Sequence, residues 1–529
     1  MALSVEMEKL EGKEEIRVEQ CVADDPKEVY GFVYEDPKTV PKKSPEERRL
    51  LLKADLLIVG MTSLVFLVNQ WAHNGTLLLP STMAKTFLID DEEQDRGNIG
   101  NARVMGFQED LHISNGQFYN AISLYYVGYI LSILPASLSV RFLKPHRQIG
   151  GCVILFATLS CCMAAAKNAG TVLALRIIFG FASAFLQALT LYISMWYKRN
   201  EMATRTGIFY SAATIAGGFS GLIAYAIQKN LDGALGKPSW YWLFIIEGVA
   251  GIIVGLACWI LLPPSPDQLK KNHWIFSNKE IELAISRMQT YNVAHAGFTW
   301  KQMWIALKDP KTVPFWFISA GISLALASIS AFLPSFIAEF GYSHVQTQLF
   351  SIIPYACAFV TLIVVNVASD RLNLKGVFLM GLLCTSIIGY VILIAVHNVK
   401  VKIFATCLIT MGTFPGVTLM GAWMNINTGG FTKRATTWGT AEIVGQCFAI
   451  LGSHIYTDPP QYVKGHSIAL AFQLLALLSA VFNWFWMRWL NQKKEKEAFE
   501  HAEAGTTDPN LHKTLEDIQD YHPSFRYIL

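Results

Sequence analysis

Apolar residues come in long runs along this chain, with the polar residues gathered between them. Twelve runs stand out, at roughly 54–71, 116–139, 149–167, 170–194, 206–228, 240–262, 313–337, 346–368, 375–397, 402–424, 434–456 and 467–490. Each is long enough, at about 18 residues or more, to carry a helix across about 30 Å of hydrocarbon. Helices are the expected form, because backbone groups in lipid must be satisfied within the segment. The pattern predicts an all-α membrane protein with twelve transmembrane helices.

The polar stretches divide the runs into six and six. Residues 1–53 read as a mobile tail, 263–312 as a central linker and 491–529 as a second tail best read as solvated. The layout predicts two six-helix bundles, 54–262 and 313–490, rocking about a site near the bilayer midplane. Within the linker, "SNKEIELAISRMQTY" (Ser277–Tyr291) starts on a capping serine with Glu280 three residues later. Apolar residues at helical spacing follow, so an interfacial or bundle-bracing helix is expected there.

Composition sharpens the picture. Hydrophobic residues make up 52% and charged residues 16%, against about 25% charged in soluble domains. Positive charge collects at Arg141, Lys144 and Arg147, at Lys198, Arg199 and Arg205, at Arg371 and Lys375, and at Lys433 and Arg434. The opposite loops are poorer in it, which places both termini in the cytoplasm. Eight of the nine cysteines fall inside apolar runs, a distribution unlike a disulfide framework. No metal-ligand spacing, paired catalytic carboxylates or nucleophile motif is present, so neither an enzyme nor a cofactor is expected. No basic patch with interleaved aromatics points to nucleic acid. The charged N-terminus lacks a cleavable signal, leaving the first run to direct insertion.

Several stretches carry a resemblance. They include "DRGNIGNA" (Asp95–Ala102), "VGYILSILP" (Val127–Pro135), "MWYKRNEMATR" (Met195–Arg205) and "WLFIIEG" (Trp242–Gly248). The later ones are "FGYSHVQTQLFSIIPY" (Phe340–Tyr355), "SDR" (Ser369–Arg371), "AWMNINTGGFTKRA" (Ala422–Ala435) and "PPQYVKG" (Pro459–Gly465). In this order and spacing the chain resembles the anion:cation symporter family of the major facilitator superfamily, in its fungal allantoate-permease-like branch. The resemblance implies uptake of a small organic anion with protons: a vitamin such as nicotinate or pantothenate, a ureide or a sugar acid. It also implies the plasma membrane, and a monomer is expected. Drug-expelling members of the superfamily usually carry a glycine–proline motif in the fifth segment. Here "AGGFSGLIA" has none, but its Gly217 and Gly221 suit close helix packing.

Membrane charges are the candidate chemistry. A charge at the bilayer centre costs about 2.5–3.5 kcal/mol on insertion scales, so it needs a partner or a task. Arginine presents a fixed fork of donors matched to carboxylate. By resemblance, Arg96 and Arg176 correspond to the pair that clasps the substrate anion, although each also fits simple pairing with a carboxylate or with helix carbonyls. Asp95 reads equally as a proton site and as a counter-ion to Arg96. The family's glutamate seven residues after the helix 4 arginine is Ser183 here, and serine cannot carry the proton. Glu442 is the candidate substitute, with pairing to Lys433 or Arg434 as the competing reading. Tyr125, Tyr126, Tyr210, Gln187, Trp423 and Asn427 are candidates to complete the pocket, each competing with a packing role. Asp370 and Arg371 match the superfamily's conformational latch, while the first copy is degenerate in "SVRFLKPHR". Glu247 matches a position expected to tie helices, and His454 is expected at the outer surface.

The stretch Ala72–Gln94 interrupts the family pattern. Removing it joins "FLVNQW" to "DRGNIGNA" and restores the family spacing. Either the insertion is genuine, with an outer acidic loop carrying the Asp95–Arg96 pair, or it is a retained intron of whole-codon length. In the second case the sequon Asn74-Gly75-Thr76 is accidental.

The sequence therefore points to a proton-coupled organic-anion symporter whose partners are the anion, protons and the bilayer. Export by the same fold and a non-transporting nutrient receptor remain as alternatives.

Overall fold

Twelve helices of membrane length run through the computed structural model, which describes residues 43–74, 107–271, 273–288, 298–338, 344–396, 398–452, 454–456, 462–513 and 515–529. The first, α1, is continuous over 45–74: Pro45–Ala54, a π-helical stretch Asp55–Val59 and Gly60–Asn74. It is followed by α2 (Asn115–Leu143), α3 (Pro145–Ala164), α4 (Ala169–Trp196), α5 (Met202–Leu231) and α6 (Ser239–Leu261). The second half holds α7 (Thr312–Ala338), α8 (His344–Leu372), α9 (Lys375–Ala395), α10 (Val399–Ile426), α11 (Phe431–Gly452) and α12 (Val463–Glu503). No strand occurs among the described residues.

Ten of these helices are apolar enough to cross a bilayer by composition among the described residues; α5 and α11 are the two others. For α11 the reason is its position. Phe431–Gly439 is buried without interruption, including Thr432, Lys433, Arg434, Thr436 and Thr437. A helix whose surroundings are protein has no need of a lipid-soluble surface.

In the first half α2 packs on α4 and α3 on α6, and in the second α7 packs on α11 and α9 on α10. The halves meet where α5 lies against α8 and α2 against α11. The α2–α4 pair touches backbone to backbone: a Cβ on Gly128 would run into the Ile177 carbonyl, and one on Gly180 into the Tyr125 carbonyl. Only glycine allows two helix axes so close together.

Among the described residues, the linker forms the helix expected of it, and the parts of both tails beside the bundle are ordered. The expected capping box forms at the start of the linker helix Asn278–Met288: Ser277 N–H donates to Glu280 at 2.8 Å, and Glu280 N–H to the Ser277 hydroxyl at 3.3 Å. This helix holds the start of α1. Lys53 donates to both Glu280 oxygens at 2.8 Å, and Arg287 pairs with Glu47 and, at 2.6 Å, with Glu201. The first tail is therefore helical from Pro45, not mobile through residue 53. The solvated reading of 491–529 is also corrected: α12 continues to Glu503, and Gln519, Asp520, Phe525, Tyr527 and Ile528 are buried against the bundle. Their docking surface is polar and charged, which hydropathy cannot register.

Candidate functional site

The close α2–α4 crossing fixes one wall of a polar seam. Tyr125 and Tyr129 stand one turn apart on α2 with ring centroids 6.0 Å apart, and Tyr126 meets Tyr125 edge-on at 5.4 Å. On α4, Arg176 is 7% exposed and lies within electrostatic reach of the Tyr125 hydroxyl. Ser183, two turns further, is buried and faces the same tyrosine. The helix then tightens into a 3₁₀ turn at Phe185–Gln187. A short 3₁₀ stretch inside a long helix marks a point of altered geometry, and here it delivers Gln187 to the interface between halves.

The opposite wall is α11. Glu442 is buried, and its Oε2 accepts from Gln187 Nε2 and from Gln446 Nε2, each at 3.5 Å. Gln187 also donates to the Tyr129 hydroxyl. Tyr129 and Tyr210, the latter on α5, both lie within electrostatic reach of the Glu442 carboxylate. Tyr210 packs its ring 4.9 Å from Phe66 of α1. The arginine and the carboxylate thus occupy different levels of the seam. Gln187 lies eleven residues beyond Arg176, about 16 Å along the helix at 1.5 Å per residue. A buried cation near one end of α4 can attract an anion, and a carboxylate shared between halves can exchange a proton as the halves separate.

The structure brings Arg176, Tyr125, Tyr126, Gln187, Tyr210 and Glu442 to this seam. Trp423 and Asn427 are elsewhere: Trp423 Nε1 and Asn427 Nδ2 each donate to the Ile528 carbonyl at 2.8 Å. Their pocket role is thereby not supported, because their polar atoms are engaged by the C-terminal segment. Asp370 does link the halves. Its carboxylate accepts from the N–H groups of Ala203 at 3.3 Å and Thr204 at 2.6 Å, at the N-terminus of α5, and pairs with Lys375 at 3.1 Å. An anion is favoured at a helix N-terminus. Arg371 takes no part in that contact and its side chain is exposed.

The competing partners of Glu442 are engaged apart from it. Lys433 pairs with Asp309 at 2.6 Å and with Asp520, and Arg434 donates to Ser194 and to the Thr428 carbonyl, both at 3.3 Å. Glu247 is buried in α6 with Oε2 lacking a hydrogen-bond partner among the described residues, so the tie expected of it is not seen. His454 is exposed. Asp95 and Arg96 lie outside the described residues. Sequence reasoning missed Tyr129 and Gln446. Each is four residues from a residue it did single out, Tyr125 and Glu442, and so shares its helix face.

Comparison with known proteins gives the arrangement a context. The Major Facilitator Superfamily profile matches residues 94–453. An uncharacterized transporter of Schizosaccharomyces pombe is 32% identical over 439 residues, 82% of this chain and 86% of its own. The high-affinity nicotinic acid transporter of Saccharomyces cerevisiae is 28% identical over 502 residues, covering 93% of this chain and 87% of the relative. In fold, the crystal structure of the human organic anion transporter MFSD10 (TETRAN) superposes with a TM-score of 0.55 at 12% identity, over 83% of this chain and 100% of that one. Twelve membrane-length helices, a polar seam between two halves and this extent of similarity lead to one conclusion: the chain belongs to the Major Facilitator Superfamily and is a multi-pass membrane transporter.

Proposed function

We propose that the protein carries a small organic carboxylate, with an aromatic acid such as nicotinate as the first compound to test, by proton-coupled alternating access. One observation carries this reading: a buried arginine and a buried carboxylate line the same inter-helix seam at different depths, with the carboxylate shared between the two halves. The finer placement, in the anion:cation symporters of the allantoate-permease-like branch, goes with it. The relative named as a nicotinic acid transporter supports the choice of probe.

Arg176 supplies a desolvated fork of donors for the substrate carboxylate, with Arg96 as a second cation. Tyr125 and Tyr126 offer flat apolar faces and hydroxyl donors for a planar acid. Glu442 carries the coupled proton, a role in which Asp95 is the alternative carrier. A charged Glu442 is held by Gln187 and Gln446, and a protonated one loses less on parting from them. Binding of anion and proton together leaves the loaded seam without net added charge. The two halves can then rock past the bilayer centre at lower cost. The face bearing the central linker is cytoplasmic in this proposal, and the protein acts as a monomer in the plasma membrane.

The test is uptake of labelled nicotinate and a panel of other organic acids in cells expressing the chain, at outside pH 5 and pH 7.5. Acid-stimulated uptake of one acid, abolished by Arg176→Ala, is the expected result. Protein at the cell surface with no acid taken up at either pH overturns the importer reading.

A further inference from the structure

The segment Gln519–Leu529 lies across the linker face of the bundle, and its contacts are unequal between the halves. The second half holds it. Lys311 and Lys433 both pair with Asp520, a carboxylate with no solvent exposure. Lys494 of α12 donates to the carbonyls of Asp520, His522 and Phe525 at 2.6, 3.0 and 3.0 Å. Asn491 exchanges two 2.9 Å hydrogen bonds with the backbone of Tyr527, and Asn427 does the same with Ile528 at 2.7 and 2.8 Å.

The first half meets the segment through Arg199, in the turn between α4 and α5, and through the apolar cluster of its helices, in which Ile528 is buried. The Arg199 guanidinium donates to the Arg526 carbonyl at 3.0 Å and lies 4.6 Å over the Phe525 ring. It also reaches Asn427 of α10 at 3.4 Å. The segment therefore sits where the α4–α5 turn meets the end of α10, beside the Asp370 contact that joins α5 to α8.

We propose that Gln519–Leu529 is a bolt: carried by the second half, seated against Arg199 when the linker-face mouth is shut, and withdrawn from it when the mouth opens. The segment then sets the balance between shut and open carriers, whatever the substrate. Two features suit a seat that is left and retaken. At the anchor three lysines, Lys311, Lys433 and Lys494, face Asp309 and Asp520, which keeps the segment on the second half. Asp309, within 3.4 Å of Lys311 and 2.6 Å of Lys433, shares these lysines with Asp520, so the anchor stays paired on the second half while the segment leaves Arg199. Burial pushes the Asp520 carboxyl up, but the Lys311 and Lys433 ammonium groups beside it hold it well below the usual carboxylate range. It therefore stays charged through the physiological range. On the first-half side, an arginine against a carbonyl and a ring face, with Ile528 in apolar contact, can part without leaving a buried carboxylate behind.

The experiment uses the full chain in lipid nanodiscs, with spin labels at Arg147 and Leu374, exposed positions on the linker face of the two halves. Electron–electron distances are compared between the parent, Arg199→Ala and Asp520→Asn, with melting temperature measured alongside. The expected result is a long-distance population raised about threefold or more in both variants, a shift of about 0.65 kcal/mol at RT of 0.59 kcal/mol. Unchanged distances in Arg199→Ala overturn the proposal, and so does a lower melting temperature without any change in distance. If Asp520→Asn does not fold, Arg199→Ala decides the matter alone.

Discussion

Gln187 of α4 donates to Glu442 of α11 across the seam between the two halves of the molecule, at 3.5 Å. It is a contact that alternating access must break and remake. If Glu442 carries the coupled proton, Glu442→Gln preserves its size and its bond to Gln187 but removes the titration. Uptake by this variant is expected to lose its acid stimulation, falling about tenfold at outside pH 5, or about 1.4 kcal/mol. Exchange of substrate for substrate across the membrane should persist. A Glu442→Gln protein with unchanged proton-driven uptake would remove Glu442 from the coupling.

Arg176 tests the recognition of the anion. Lysine keeps the charge but loses the planar fork, so Arg176→Lys is expected to raise KM for the transported acid about tenfold or more, about 1.4 kcal/mol. Arg176→Ala should abolish transport, because burial makes the cation the main source of attraction in the seam. Initial-rate measurements on the acid identified by the uptake panel supply both numbers. Equal KM values for arginine and lysine would mean that charge alone is read.

The glycine crossing supports the same wall. Gly180→Val should drive a side chain into the Tyr125 backbone and part α2 from α4, with a cost of at least about 1–3 kcal/mol from overpacking. Gly381→Ala in α9 is the control, since a Cβ there meets nothing within 4 Å. The melting temperature of detergent-purified protein should fall clearly for the first and stay level or rise for the second. Equal melting temperatures would contradict the backbone contact.

How far the sequence carries depends on the range of the interactions involved. Membrane spans are local: about 20 apolar residues declare themselves, as does a serine with a glutamate three residues on, which is why the Ser277–Glu280 cap was legible. Glu442 was legible as a carboxylate inside an apolar run. Its partner Gln187, on a helix 255 residues away in sequence, was legible as a polar residue but not as that partner. The bolt was not legible. "DYHPSFRYIL" has no apolar period, and it is ordered by lysines on three other elements that no local pattern connects to it. Trp423 and Asn427 sit in a family-like stretch, and nothing local in it connects their polar atoms to the Ile528 carbonyl that they meet.

The brace between the start of α1 and the linker helix should be sensitive to acid. Burial raises the Glu280 carboxyl, but Lys53 and the Ser277 N–H bind its charged form and bring it below the ordinary value of 4.5, with Arg49 a further 3.8 Å contact. A depressed folded value means the brace contributes fully above about pH 4.5 and weakens as pH falls through the folded value. Trypsin cleavage at Arg48, Arg49 and Lys53 gives way near pH 4, so hydrogen exchange with peptic digestion is the better measure. Exchange over 45–54 is expected to quicken at pH 4 relative to pH 7 after correction for the intrinsic rate. Glu280→Gln should show the faster exchange already at pH 7, and an unaltered profile in that variant would deny the brace its role.

The stretch Ala72–Gln94 yields the last prediction. The superfamily profile begins to match at residue 94, the last residue of the stretch. Asp90, Asp91, Glu92 and Glu93 stand consecutively just before Asp95 and Arg96. At membrane depth each acid would cost about 2.5–3.5 kcal/mol, so the quartet and a midplane Asp95–Arg96 pair do not suit one short helix segment. Without the 23 residues, "FLVNQWDRGNIGNA" reads as one uninterrupted helix that puts the pair at the level the transport proposal needs. The expected mature transcript therefore lacks codons 72–94, and the shortened chain should reach the surface and take up substrate in an Arg96-dependent manner. Sequencing of cDNA across the junction decides the first point, and uptake by the two forms with and without Arg96→Ala decides the second. A transcript that keeps the segment, with only the long form active, would place the pair in an outer loop and leave Arg176 as the single membrane cation that receives the anion.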